Sequence, residues 1–254
     1  MRTLKIRNIE LGAGVPKTIV PIVAKTRAEI LEKASEITKL PADLVEWRAD
    51  FYEDLFNTNV MLETLSELRN VLGETPILFT IRTIPEGGEV APSPEDYTRT
   101  NIAVAESGKA DLVDVEMILT PEFEKKNFDA IHKAGCLVVG SKHDFKATPS
   151  QSEIYNTLKR AQDAGADVPK IAVMPQNDSD VVTLLAASVE FKTNYSDRPF
   201  LTISMGAKGM VSRMACELSG SCMTFGAAGQ VSAPGQIQVK ALKDTLTLIH
   251  TASN

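Results

Sequence analysis

The sequence predicts an α/β fold of one kind, a closed (β/α)8 TIM barrel with a short N-terminal hairpin-like extension. Three observations carry that prediction. Strand-like and helix-like stretches alternate eight times along the chain. The strand-like runs are apolar on both faces, as parallel strands covered by helices must be. Val168-Pro169-Lys170-Ile171-Ala172-Val173-Met174-Pro175 is the clearest of them. The chain has 254 residues, a length that suits one such barrel. The competing architecture is an open doubly wound sheet, which normally uses fewer strands and a glycine-rich first turn. Gly12 and Gly14 follow no convincing strand, so a dinucleotide fingerprint is absent.

The elements then fall in order. A small hairpin is expected around Gly12 and Gly14. Strands are predicted at 18–23, 43–48, 76–82, 111–116, 136–143, 169–174, 198–205 and 222–226. Helical periodicity occupies 27–40, 60–72, 94–107, 122–134, 150–164, 178–191, 209–218 and about 236–250. Thr26 precedes the first helix, Thr120-Pro121 opens the fourth, and Thr148-Pro149 leads into the fifth. Gly73, Gly108, Gly135 and Gly165 close several of them. No linker or shift in composition divides the chain, so residues 1–254 are expected to form one barrel domain.

Composition narrows the function. The net charge of −6 argues against nucleic acid or an anionic membrane as the main partner. No apolar run approaches the ~20 residues of a membrane span. The N-terminal MRTLKIRNIELGAG lacks the apolar core of a signal peptide, so a cytoplasmic location is expected. Cys136, Cys216 and Cys222 are odd in number and show no CxxC spacing, which fits reduced packing residues. There is no HxH or HExxH pattern for a metal, no Walker lysine and no nucleophile elbow.

A barrel places its chemistry at the C-terminal ends of its strands. Those ends read Glu46 and Arg48, Arg82, Glu116 and His143. Any one of them is a plausible solvated strand exit; a whole ring at the same end is harder to explain that way. Alternation puts Glu46 and Arg48 on one face, and likewise Ser141 and His143. It sends Lys142 to the opposite face, towards the helices. Lys170 lies inside an apolar strand, where an ammonium must pair, reach water or give up its proton. In the last case it becomes an amine nucleophile for a carbonyl. Of three histidines, His132 and His250 look incidental, whereas His143 ends a strand and suits proton transfer near neutral pH. The small-residue loop 226–235 reads as a lid.

Six segments together resemble a family: EWRAD (46–50), RTIPEGGE (82–89), SKHDF (141–145), VPKIAVMP (168–175), SMGAKGMVSRM (204–214) and FGAAGQVSAPGQI (225–237). They look like the type I 3-dehydroquinate dehydratases, in the family's order and over nearly the whole chain. The resemblance implies a (β/α)8 barrel that converts 3-dehydroquinate to 3-dehydroshikimate in the shikimate pathway of aromatic amino acid biosynthesis. It implies work without metal or organic cofactor, usually as a homodimer. It makes Lys170 the imine-forming residue, His143 the proton-transfer residue and Glu86 the acid that orients His143. Arg213 becomes the clamp for the substrate carboxylate, and Glu46, Arg48, Arg82, Ser232 and Gln236 further substrate contacts. Pro21 departs from the serine some relatives carry there. Another Schiff-base barrel lyase, such as an aldolase, and a non-catalytic ligand-binding barrel are the alternatives.

Overall fold

The structure, a computed structural model, describes residues 2–118, 120–229 and 235–253. Two short antiparallel strands come first, β1 (Leu4–Ile6) and β2 (Ile9–Leu11), with Ile6 opposite Ile9. The expected hairpin is therefore present, but it turns at Arg7-Asn8 rather than at Gly12 and Gly14. Arg7 adopts φ 49°, a strained value for a residue with a side chain. Its guanidinium ion-pairs with Asp111 at 2.5 Å. Gly12 and Gly14, also at positive φ, instead lead the chain into the barrel.

Eight parallel strands follow. They are β3 (Lys17–Ile22), β4 (Leu44–Arg48), β5 (Ile77–Thr80), β6 (Leu112–Glu116), β7 (Leu137–Asp144), β8 (Val168–Val173), β9 (Leu201–Ser204) and β10 (Met223–Phe225). β3 to β9 pair in sequence order, and β10 pairs with β3. A parallel bridge between Phe200 and Ser221 joins β9 to β10 and nearly closes the barrel. Around it lie α1 (Arg27–Ile37), α2 (Thr58–Leu72), α3 (Pro94–Glu106), α4 (Pro121–Lys133) and α5 (Gln151–Ala164). α6 (Asp178–Asn194), α7 (Met210–Met214), α8 (Cys216–Ser219) and α9 (Val239–Ser253) complete the ring.

Two helix details differ from expectation. Ser150, not Thr148-Pro149, caps α5, in a reciprocal capping box with Glu153. The seventh helix is broken at Ala215 into α7 and α8. Ser212 ties α7 to the end of β9: its hydroxyl accepts the Ser204 N–H at 3.0 Å and donates to the Gly209 carbonyl at 2.7 Å.

The barrel interior is filled by alternate residues of each strand. Ile19, Leu44, Leu78, Leu112, Val139, Val168, Leu201 and Met223 form an inner cluster, joined by Ile6 and Leu11 from the hairpin. The hairpin thus plugs the N-terminal end, each buried side chain contributing about 1.5–3 kcal/mol. The intervening residues, such as Val45, Trp47, Phe79, Val113 and Val138, face the helices. Towards the C-terminal end the inward positions turn polar, giving Glu46, Thr80, Asp114, Glu116, Ser141 and Lys170, all buried.

Candidate active site

Lys170 lies mid-strand in β8, paired in register with Ser141 and only 3% exposed. Its Nζ donates to Asp114 Oδ2 at 2.9 Å, stands 3.9 Å from Glu46 Oε1, and lies 5.3 Å from the centre of the Phe225 ring. Of the possibilities open in the sequence, pairing with a carboxylate is the one realised. Asp114 is itself braced, accepting Arg82 Nη2 at 2.9 Å and the Ser141 hydroxyl at 2.5 Å. Burial alone would raise the Asp114 carboxyl, but Arg82, Lys170 and Ser141 hold it below its ordinary range.

Arg82, just past β5, is saturated. It donates to Glu116 at 2.8 Å, to Ser141 at 3.0 Å and to Asp114, and its charge is held despite complete burial. Thr83 adds its N–H and hydroxyl to Glu116. Tyr97 of α3 closes the network, its hydroxyl accepting the Glu116 N–H at 3.0 Å and donating to the Asp114 carbonyl at 3.4 Å. Burial, with Glu116 and Asp114 nearby, pushes its phenol well above the usual value. Glu46 accepts the Thr80 hydroxyl at 2.9 Å. Arg48 forks onto Asp50 with two bonds of 2.8 Å and lies over the Phe51 ring.

Glu86 ends a single 3-10 turn, Ile84–Glu86, closed by Gly87 at φ 82°. A side chain on Gly88 would start 1.8 Å from the Arg82 carbonyl oxygen, so this tight return requires glycine. The turn seats Glu86, fully buried, against β7. Glu86 Oε2 meets His143 Nδ1 at 2.9 Å and accepts the His143 backbone N–H at 3.1 Å. Oε1 accepts Lys142 Nζ at 2.8 Å. Burial and Glu116 push the Glu86 carboxyl up to about 7, against the pull of Arg82 and Lys142. Burial, then the charges of Arg82, Lys170, Arg48 and Lys142, hold His143 well below the usual imidazole value. These influences favour the neutral ring, and Nε2 has no hydrogen-bond partner among the described residues.

Arg213 of α7 is the opposite of Arg82. It is 8% exposed; among the described residues its guanidinium makes one hydrogen bond, to the Phe225 carbonyl at 3.5 Å, and its buried Nε has no partner. Among the described residues no carboxylate lies within ion-pair distance, and burial lowers its pKa. A buried guanidinium without an anion is a site for one. Gln236 lines a groove with Pro21, Val23 and Ala227, while Ser232 and residues 230–234 of the expected lid lie outside the described residues. His132 and His250, expected to be incidental, pair with Asp167 at 2.7 Å and with Glu217 at 3.0 Å.

A profile of the type I 3-dehydroquinase family matches residues 18–253. The chain belongs to the type I 3-dehydroquinase family. It is 44% identical over 253 residues to the 3-dehydroquinate dehydratase of Clostridioides difficile, covering 100% of this chain and 99% of that protein. It is 45% identical to the Bacillus licheniformis enzyme of the same name, covering 98% of each. A solved type I 3-dehydroquinate dehydratase from Clostridium difficile, with covalently modified comenic acid, superimposes with a TM-score of 0.97. It is 43% identical, and 99% of each chain is covered.

For a type I 3-dehydroquinase, the sequence located most of the ring but not its wiring. Lys170, His143, Glu86, Glu46, Arg48 and Arg82 converge at one end of the barrel, with Arg213 beside Phe225. Asp114 escaped notice as a partner of Lys170, although alternation from Glu116 along LVDVE puts it on the same inward face. Tyr97 left no such signal, because a helix residue that reaches under a strand is indistinguishable from any other core tyrosine.

Proposed function

We propose that this chain dehydrates 3-dehydroquinate to 3-dehydroshikimate through an imine on Lys170. The observation that carries the reading is a buried lysine next to a carboxylate-braced histidine, with a buried arginine that has no anion among the described residues. The Arg213 fork receives the substrate carboxylate. Lys170 must lose a proton before it can attack, and the neutral His143 imidazole is the acceptor within the site. The amine adds to the ketone carbon, and His143 returns that proton to the carbinolamine hydroxyl, so that loss of water leaves an iminium and a neutral imidazole. The iminium keeps a positive charge opposite Asp114, so the ion pair present in the free site survives the covalent step.

His143 next removes the proton from the carbon beside the former ketone, and the electron pair flows into the iminium to give an enamine. Collapse of the enamine expels the hydroxyl one carbon further on, and His143 returns its proton to that leaving group. Water hydrolyses the product iminium and frees Lys170. One water is lost overall. Glu86 keeps Nδ1 occupied and offsets the imidazolium charge while the proton resides on the ring.

Two further parts of the reading are a role in the shikimate pathway, which rests on the family resemblance, and a cytoplasmic location, which rests on an N-terminal segment without an apolar signal core. Among the described residues no helix is long and apolar enough to cross a membrane. A homodimer is supported by α6, which carries apolar residues on two sides. Val181, Leu184 and Phe191 are buried, whereas Val182, Leu185, Ala186 and Val189 form an outer stripe beside Leu218.

Borohydride reduction in the presence of 3-dehydroquinate, followed by peptide mass mapping, tests the mechanism. The expected adduct lies on Lys170 and is absent from Lys170→Ala. Label elsewhere, or wild-type turnover by Lys170→Ala, overturns the assignment. Enone absorbance appearing with 3-dehydroquinate, and no cleavage of phosphorylated sugars, separates dehydration from the aldol chemistry also open to a buried lysine.

A further inference from the structure

The inward residue His143 and the outward residue Lys142 are neighbours on β7, yet both bind the same carboxylate. Glu86 offers Oε2 to His143, to Nδ1 at 2.9 Å and to the backbone N–H at 3.1 Å, and offers Oε1 to Lys142 Nζ at 2.8 Å. Glu86 is fully buried, while the Lys142 side chain is 40% exposed. Lys142 therefore reaches the acid from the solvent side of the strand, outside the chamber that holds Lys170.

Of the other charges facing Glu86, Arg82 also favours its ionised form, and its single contribution exceeds either one from Lys142. Arg82 stands 3.5 Å away but is shared with Asp114 at 2.9 Å and Glu116 at 2.8 Å. Glu116, from β6, opposes ionisation. Asp144, next on β7, turns to the backbone N–H groups of Lys146 and Ala147. Lys142 is the cation whose ion pair, among the described residues, is with Glu86 alone.

We propose that Lys142 is a positioning residue for this reaction: by holding Glu86 ionised and pointed at Nδ1, it extends the pH range over which His143 works. The inference rests on the reading of His143 as the proton-transfer group. A protonated Glu86 would lose an acceptor site and would no longer stabilise the imidazolium. Loss of Lys142 favours that protonation, and it also removes a positive charge that keeps the His143 ring neutral. Both effects move the acid limb of the pH–rate profile in the same direction, upward.

The test compares kcat against pH for wild type, Lys142→Met, Lys142→Gln and Lys142→Arg, with His143→Ala alongside. In the Met and Gln variants the acid limb is expected to move up by about 0.5 pH unit, roughly a threefold loss on the limb. Arg should restore it. The displacement should shrink at high salt, because the ion pair is partly solvated. Met and Gln profiles that superimpose on wild type, or fall uniformly without displacement, overturn the proposal. If His143→Ala retains wild-type turnover, the reading of His143 fails instead; an inactive His143→Ala with undisplaced Met and Gln variants defeats the Lys142 proposal alone.

Discussion

Arg82 and Arg213 show how one residue type serves two purposes through its partners. Arg82 neutralises Asp114 and Glu116 and donates to Ser141, so its removal leaves buried Glu116 without a cation among the described residues and Asp114 with Lys170 alone. Arg82→Ala should destabilise the fold by about 3–5 kcal/mol, read from denaturant unfolding. Arg213 balances no acid among the described residues, so Arg213→Ala should leave stability nearly intact and raise KM more than it lowers kcat. His132 gives a pH-dependent prediction. Its bond to Asp167 raises its pKa above the ordinary 6.5. The folded state thus binds the proton more tightly, and the stabilisation is fully present below the unfolded value. It is lost as pH rises through the raised folded value. His132→Gln should lower the melting temperature at pH 6, with the gap closing by pH 9.

Among the elements, β7 carries Ser141, Lys142 and His143, and its distance from the helices sets where all three side chains stand. That distance depends on Gly140. A Cβ there would lie 2.8 Å from Ala166 Cβ and 3.3 Å from Phe128 Cζ. Gly140→Ala should therefore push the strand away from α4 and α5, costing about 1–3 kcal/mol and lowering kcat at a distance from the substrate. Unchanged unfolding and turnover would show that the layer gives way freely. The strands were legible because they are short apolar runs, buried on both faces, set between polar stretches of helical period. The break between α7 and α8 at Ala215 was not, since no glycine or proline marks it in the sequence.

At the scale of the molecule, the barrel buries one face of α6 and leaves the other apolar, with Val182 65% and Leu218 63% exposed. Sedimentation equilibrium should find two copies associated, and Val182→Asp with Leu218→Asp should separate them. A wild-type monomer, or a dimer that survives both substitutions, removes this face from consideration. The hairpin of β1 and β2 acts at the other end of the barrel, where Ile6 and Leu11 seal the interior away from the chemistry.

By itself the sequence determined the alternation of strands and helices, their order, and the ring of polar residues at one end, because burial periodicity is written locally. It also set His143 on the face opposite Lys142 and Lys170 within an apolar strand. Which groups touch was decided only by closure of the barrel. Lys170 finds Asp114, and Lys142 finds Glu86, each across 56 residues of chain. A local pattern can say which way a side chain points, but the charge that faces it across the barrel depends on strand register and on the packing of distant elements. That no carboxylate among the described residues pairs with Arg213 has the same cause: it depends on the elements packed around the arginine rather than on its own segment.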